Sequence, residues 1–220
     1  MWSFGDLLDI VAAAVPPHAP AFIHDGAVTT WPRAKARMEA LARAMLAHGA
    51  KPGDKVAFYM RNGAAYGETA GACFLASLTH ANINYRFNAE EVFYIADNAD
   101  AAVLVYGAEF RPIVAQIRHR LNKLVLFIEV GDAPPPAFAQ SYEHLAADET
   151  LALALPPRSP ENQVLAYTGG TTGMPKGVVF QQGELAPYLW RISALFATEL
   201  PARAADVASL IRARGEANRR

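Results

Sequence analysis

Gln163-Val-Leu-Ala-Tyr-Thr-Gly-Gly-Thr-Thr-Gly-Met-Pro-Lys-Gly177 sets an apolar run directly before a segment rich in glycine and threonine. Gln163 to Thr168 reads as a strand. Gly169, Gly170 and Gly173 let the backbone take conformations closed to other residues, and let N–H groups approach an anion with no Cβ in the way. Successive N–H groups in such a turn form an anion-binding concavity. Thr168, Thr171 and Thr172 add hydroxyl donors, Pro175 stiffens the exit, and Lys176 supplies a flexible point charge suited to phosphate. The segment predicts a polyphosphate ligand. It lacks the P-loop NTPase order, in which Gly-Lys is followed by Ser or Thr. Here the lysine precedes its glycine, and no Ser or Thr follows.

Upstream of this segment, strands alternate with helices. Phe4 to Val15 predicts a short helix ended by Pro16-Pro17. Ala21 to His24 and Ala27 to Thr30 flank Asp25-Gly26, a hairpin signal. Thr30 is placed to cap a helix from Pro32 to His48, with Ala34, Met38, Leu41 and Met45 on one face and Gly49 as its stop. Lys51 to Asp54 is a turn, and Lys55 to Met60 a buried strand. Asn62 is a candidate cap for a helix over Gly63 to Leu78. Asn88-Ala-Glu-Glu91 has the form of a capping box, with Val92, Ile95, Ala96 and Ala99 on one helical face. Ala102 to Tyr106 and Leu124 to Ile128 read as strands. Between them, Phe110, Ile113, Val114, Ile117 and Leu121 form a helical stripe. The alternation predicts an α/β fold, a parallel sheet with flanking crossover helices. Its strands are continuous apolar runs, as expected where both faces are covered. Gly131 to Pro136 and Pro156 to Pro160 are linkers. Pro201 to Arg220 holds five arginines among alanines and reads as a solvated or frayed helix.

Composition narrows the function classes. Of 220 residues, 52% are hydrophobic and 19% charged, which supports a buried core rather than disorder. A formal net charge of -1 argues against a general nucleic-acid binder. The single cysteine, Cys73, lies in an apolar run and reads as a small buried hydrophobe, not a thiol nucleophile. With one cysteine no intrachain disulfide forms, and a cytoplasmic location is expected. The six histidines are scattered without metal-ligand spacing, so no structural zinc is expected. Asp6 and Asp9, with no basic start, argue against a signal peptide. No apolar run reaches the ~18 residues of a membrane span.

On the motif from Tyr167 to Gly177, the sequence resembles the AMP-forming acyl-CoA synthetases of the adenylate-forming superfamily. Thr168, Gly170, Thr171, Thr172, Gly173, Pro175, Lys176 and Gly177 match the family pattern, and Gly169 stands where serine is more common, as in a fatty-acyl and sterol-side-chain subgroup. Asn82-Ile-Asn-Tyr-Arg-Phe87, Glu90-Glu91, Asp97 to Asp100 and Val103 to Tyr106 look like the same subgroup's N-terminal region. Taken alone, Asn82 and Asn84 read as turn formers and Arg86 as a surface charge.

The resemblance implies ATP-dependent activation of a hydrophobic carboxylic acid to an acyl-adenylate, then transfer to coenzyme A, with magnesium as cofactor. It implies that Thr168, Gly169, Gly170, Thr171, Thr172, Gly173 and Lys176 hold the β- and γ-phosphates. Residues 1–193 correspond to the N-terminal part of the adenylation domain, and residues 194–220 form an Ala/Arg-rich helical tail outside the resemblance. The family's magnesium-binding glutamate, ribose-binding aspartate and adenylation lysine have no counterpart after Lys176. The expectation is therefore a fragment from a truncated or split gene, inactive alone. The alternatives are a non-catalytic nucleotide-binding module and half of a split enzyme with a separately encoded C-terminal partner. A sheet cut short is also expected to expose apolar surface and to self-associate.

Overall fold

The computed structural model describes residues 1–170, 173–193 and 199–217. Helix α1 (Phe4–Ala14) starts at a capping box: Ser3 Oγ accepts from the Asp6 N–H, and the Asp6 carboxylate accepts from the Ser3 N–H. Strands β1 (Pro20–His24) and β2 (Ala27–Thr30) form a separate antiparallel hairpin. Asp25 and Gly26 at its turn take φ of 49° and 78°, the twist that a two-residue hairpin loop needs. Helix α2 (Trp31–Ala47) carries Pro32 in its first turn, and Gly49 follows its end at φ 103°. The chain continues through β3 (Lys55–Tyr59), α3 (Ala64–Leu75), β4 (Thr79–Asn82), α4 (Ala89–Asn98), β5 (Ala101–Gly107), α5 (Arg111–Ile117), β6 (Leu126–Val130), β7 (Gln140–Ser141), α6 (Tyr142–Ala147), β8 (Gln163–Gly170), β9 (Gly173–Gln181), α7 (Gln182–Ile192) and α8 (Ala204–Ala217).

The main sheet has the order β7-β6-β5-β3-β4-β8-β9. Every neighbouring pair is parallel except β8 and β9, which are antiparallel. Successive side chains of a strand face opposite ways. Val56 and Phe58 of β3 therefore pack with α2, α3 and α6, whereas Ala57 and Tyr59 pack with α4 and α5. Both faces of β3 and β5 are covered, which is why these two central strands carry no polar alternation. The expected α/β architecture, a parallel sheet with flanking helices, is observed, with the antiparallel β8–β9 pair as its departure.

Two crossovers position the site. The β3–α3–β4 unit runs over one face, and β4–α4–β5 returns across β3 on the other. The loops leaving β3 and β4 thus part to opposite sides, opening a crevice at the carboxyl ends of the strands.

The details differ from expectation in several places. Thr30 precedes α2 but its side chain makes no capping bond. Gly63, not Asn62, caps α3, without a side-chain bond. That helix ends at Leu75 rather than Leu78, because Ser77 takes a left-handed φ of 55° and turns the chain into β4. The strand expected at 124–128 forms two residues later, as β6. The tail is not merely solvated: α8 packs against α1 with Val207 fully buried, and Trp2 Nε1–H donates to the Pro201 carbonyl at 2.7 Å.

Candidate functional site

The segment read as a strand followed by a loop is a β-hairpin. β8 extends through Gly169 and Gly170, and β9 begins at Gly173. Thr171 and Thr172, expected as hydroxyl donors, lie outside the described residues. The pairing sets Tyr167 opposite Gly177, Thr168 opposite Lys176 and Gly170 opposite Gly173. The register shifts between Thr168 and Gly170, where Met174 and Pro175 face a single residue. Proline has no N–H for the ladder, so it fits at such an irregularity on an edge strand. Pro175 therefore shapes the hairpin's return arm rather than a loop exit.

Directly opposed residues of an antiparallel pair share a face. Thr168 and Lys176 are directly opposed and both exposed, so their side chains leave from the same face of the hairpin. This pair can offer a hydrogen bond and a mobile positive charge to a single anionic group. Tyr167 faces the other way, into the core beside α4. Its O–H donates to Asn98 Oδ1 at 2.7 Å. Burial, the first cause, raises the pKa of this phenol above its ordinary value, so it stays protonated as a donor.

The parallel β4–β8 ladder pairs His80 with Val164 and Ala81 with Leu165. One step further on, Asn82 Oδ1 accepts from the Tyr167 backbone N–H at 2.9 Å. Asn84 Oδ1 accepts from the Arg86 N–H at 3.0 Å, closing a turn, and Arg86 is exposed with its guanidinium 5.5 Å from the Tyr85 ring centroid. Turn former and surface charge are thus the roles of Asn84 and Arg86, but Asn82 contacts the hairpin. Nothing in the sequence pointed to that link, since it joins residues far apart in the chain.

A cavity of about 350 Å³ opens at the carboxyl ends of β3, β4 and β8, lined among others by Asn62, Tyr66, Asn82, Tyr85 and Tyr167. It lies at the crevice set by the two crossovers. Behind it, Tyr66 Oη and His80 Nε2 share a 2.8 Å hydrogen bond, and burial pushes the His80 pKa down to about 4. The imidazole is neutral at pH 7. Cys73 is fully buried, and burial raises its thiol pKa far above the ordinary range, so it is no nucleophile. Among the described residues, no group of three or more His, Cys, Asp and Glu side chains converges where it could hold a metal ion, and no residue is assigned to magnesium. Among the same residues, no helix is long and apolar enough to cross a membrane.

Residues 10–211 match the family model described as AMP-binding enzyme. The chain belongs to the AMP-binding enzymes. Within this family it is similar to the 3-oxocholest-4-en-26-oate–CoA ligase of Rhodococcus rhodochrous, with 32% identity over 193 residues that cover 85% of this chain and 34% of that protein. It is similar to the feruloyl-CoA synthase of an Amycolatopsis species, with 30% identity over 204 residues, 91% of this chain and 37% of that one. The acetoacetyl-CoA synthetase of Streptomyces lividans shares the fold at a TM-score of 0.76 and 24% identity, over 86% of this chain and 32% of that structure. The chain spans about a third of the length of the curated AMP-binding relatives it matches.

Proposed function

We propose that the chain provides the phosphate-binding part of an AMP-forming acyl-CoA ligase. Thr168, Gly169, Gly170, Thr171, Thr172, Gly173 and Lys176 hold the β- and γ-phosphates of ATP in this reading. The observation that carries it is the pairing of Thr168 with Lys176 on one exposed face beside the glycine-rich hairpin end. Attack of a carboxylate on the α-phosphorus leaves charge on the departing pyrophosphate, and preorganised N–H, hydroxyl and ammonium donors stabilise it. Coenzyme A then takes the acyl group as a thioester, with release of AMP. Magnesium, when bound with ATP, adds charge neutralisation, and no residue of this chain is assigned to hold it.

The acid is hydrophobic in this reading, of the fatty-acyl or sterol-side-chain type. The names of the relatives support that class: one is a ligase for a sterol-derived acid and another is a medium-chain acyl-CoA ligase of Mycobacterium avium. Residues 1–193 supply the first part of the adenylation domain in this reading, and helix α8 packs on its first helix, α1. Because the chain spans about a third of its relatives, a second reading follows: a nucleotide-binding portion that works only with further chain, covalently joined or separate.

Calorimetric titration of the chain with MgATP tests the site. Binding is expected, and Lys176→Ala is expected to weaken it by about tenfold or more, as loss of a charge-assisted bond does. Equal affinity in the two proteins overturns the assignment. Acid-dependent exchange of pyrophosphate into ATP by the chain alone is expected to be absent, and robust exchange would show that it catalyses the adenylation step by itself.

A further inference from the structure

We propose that Asn82 and Asn98 are positioning residues for the phosphate hairpin, both acting through Tyr167. The inference rests on the phosphate-site reading above and names the groups that aim that site.

The backbone ladder between β4 and β8 stops at Ala81 and Leu165. Tyr167, 9% exposed, then presents a backbone N–H with no strand carbonyl to receive it, and such a buried donor needs a partner. Asn82 Oδ1 supplies one at 2.9 Å, extending the ladder by a single side-chain bond. The next residue is Thr168, the first of the phosphate motif. Asn82 therefore sets where β8 parts from β4 and continues paired with β9 alone.

Asn98, the last residue of α4, fixes the ring of the same tyrosine through the 2.7 Å bond from its hydroxyl. The ring lies across Gly177 on the opposite arm. A Cβ there would stand 3.0 Å from Tyr167 Cζ and 3.2 Å from Leu165 Cδ1. Gly177 directly follows Lys176. The two asparagines thus hold one aromatic residue by its backbone and by its ring tip, and that residue packs on the arm that carries the lysine. Thr168 directly follows the clamped tyrosine, and Lys176 directly precedes the glycine on which its ring packs. Binding groups have to be held within roughly half an ångström of productive geometry, and this clamp is the structure that does so for the hairpin.

The test uses the 220-residue chain and MgATP. Asn82→Leu keeps the volume and removes the acceptor, so it is expected to bind MgATP about three- to tenfold more weakly. Asn82→Asp keeps an acceptor oxygen and is expected to restore most of the affinity. Tyr167→Phe and Asn98→Leu remove two ends of one bond, so each alone and both together should weaken binding by the same factor. A purely structural role would lower the unfolding midpoint and leave MgATP affinity unchanged, and that result overturns the inference. If the unsubstituted chain does not bind MgATP, the phosphate-site reading fails, and the clamp is judged by hydrogen exchange. Asn82→Leu and Tyr167→Phe are then expected to speed exchange of the amides of β8 and β9, and unchanged protection overturns the clamp as well.

Discussion

His80 is a base kept neutral by its surroundings. Its ring packs edge-on against Phe58, with centroids 4.5 Å apart, and bonds to Tyr66. Burial lowers its pKa from 6.5 to about 4. Above pH 6.5 neither the folded nor the unfolded chain holds the proton, and stability is unaffected. Between pH 6.5 and 4 the unfolded chain takes up a proton that the folded chain refuses, so stability falls as the pH falls. The full loss is about 3 kcal/mol, reached near pH 4 and constant below it. Urea unfolding at a series of pH values should show this slope in the parent and a flatter one in His80→Gln. Identical slopes would mean that the ring takes its proton in the folded state. Residue chemistry of this kind was only partly legible in the sequence. Thr168 and Lys176 stood out because glycines surround them. His80 and Asn82 did not, because what shifts or recruits them is tertiary packing.

Elements are tied together by a different group. Arg37 on α2 donates from Nε to Glu68 of α3 at 2.8 Å and from both terminal nitrogens to Glu143 of α6. Tyr142 of α6 donates its hydroxyl to Glu68 as well. Burial, then the Glu68 charge beside it, holds the Tyr142 phenol well above its ordinary pKa. The two carboxylates differ in what they contribute. Glu68 is 2% exposed, and removing its cation strands a buried charge. Glu143 is 60% exposed, where an ion pair is screened by water. Arg37→Met is therefore expected to cost about 3–5 kcal/mol in urea unfolding. Glu143→Ala should cost less than about 1 kcal/mol. Comparable losses in the two variants would contradict this ranking. The elements joined by the node were unequally readable. α2 announces itself through the one-face stripe of Ala34, Met38, Leu41 and Met45, and α3 through its largely apolar composition, whereas α6 is short and follows a two-residue strand. Likewise Thr79-His-Ala-Asn82 has three polar residues in four and becomes a strand only because β3 and β8 pair with it. β9 was hidden for another reason. Gly173-Met-Pro-Lys-Gly177 carries the residues that normally break a strand, and the β8 ladder overrides them.

At the scale of the whole molecule, the sheet ends in an uneven edge. β9 has β8 on one side and, among the described residues, no strand on the other. Near the hairpin tip that edge carries Pro175 and Lys176, residue types that discourage pairing with another chain. Further along, Val178, Val179 and Phe180 are all exposed, with Val179 at 54% and Phe180 at 40%. Adjacent residues of a strand face opposite ways, so this stretch is apolar on both faces. Tyr188, Leu189 and Ile192 of the following helix α7 add more exposed apolar surface. An unpaired apolar edge of this kind templates association with a second copy. Sedimentation velocity is expected to give a weight-average coefficient that rises with protein concentration. Val179→Lys puts a charge in the middle of the unprotected stretch and should make the coefficient independent of concentration. The substitution lies beyond Lys176 on the same strand, away from the tip, so MgATP affinity should not change with it. A sharp, concentration-independent monomer for the unsubstituted chain would show that twist or side-chain geometry already blocks the edge. Loss of MgATP binding in Val179→Lys would show instead that the edge and the phosphate hairpin are one cooperative unit.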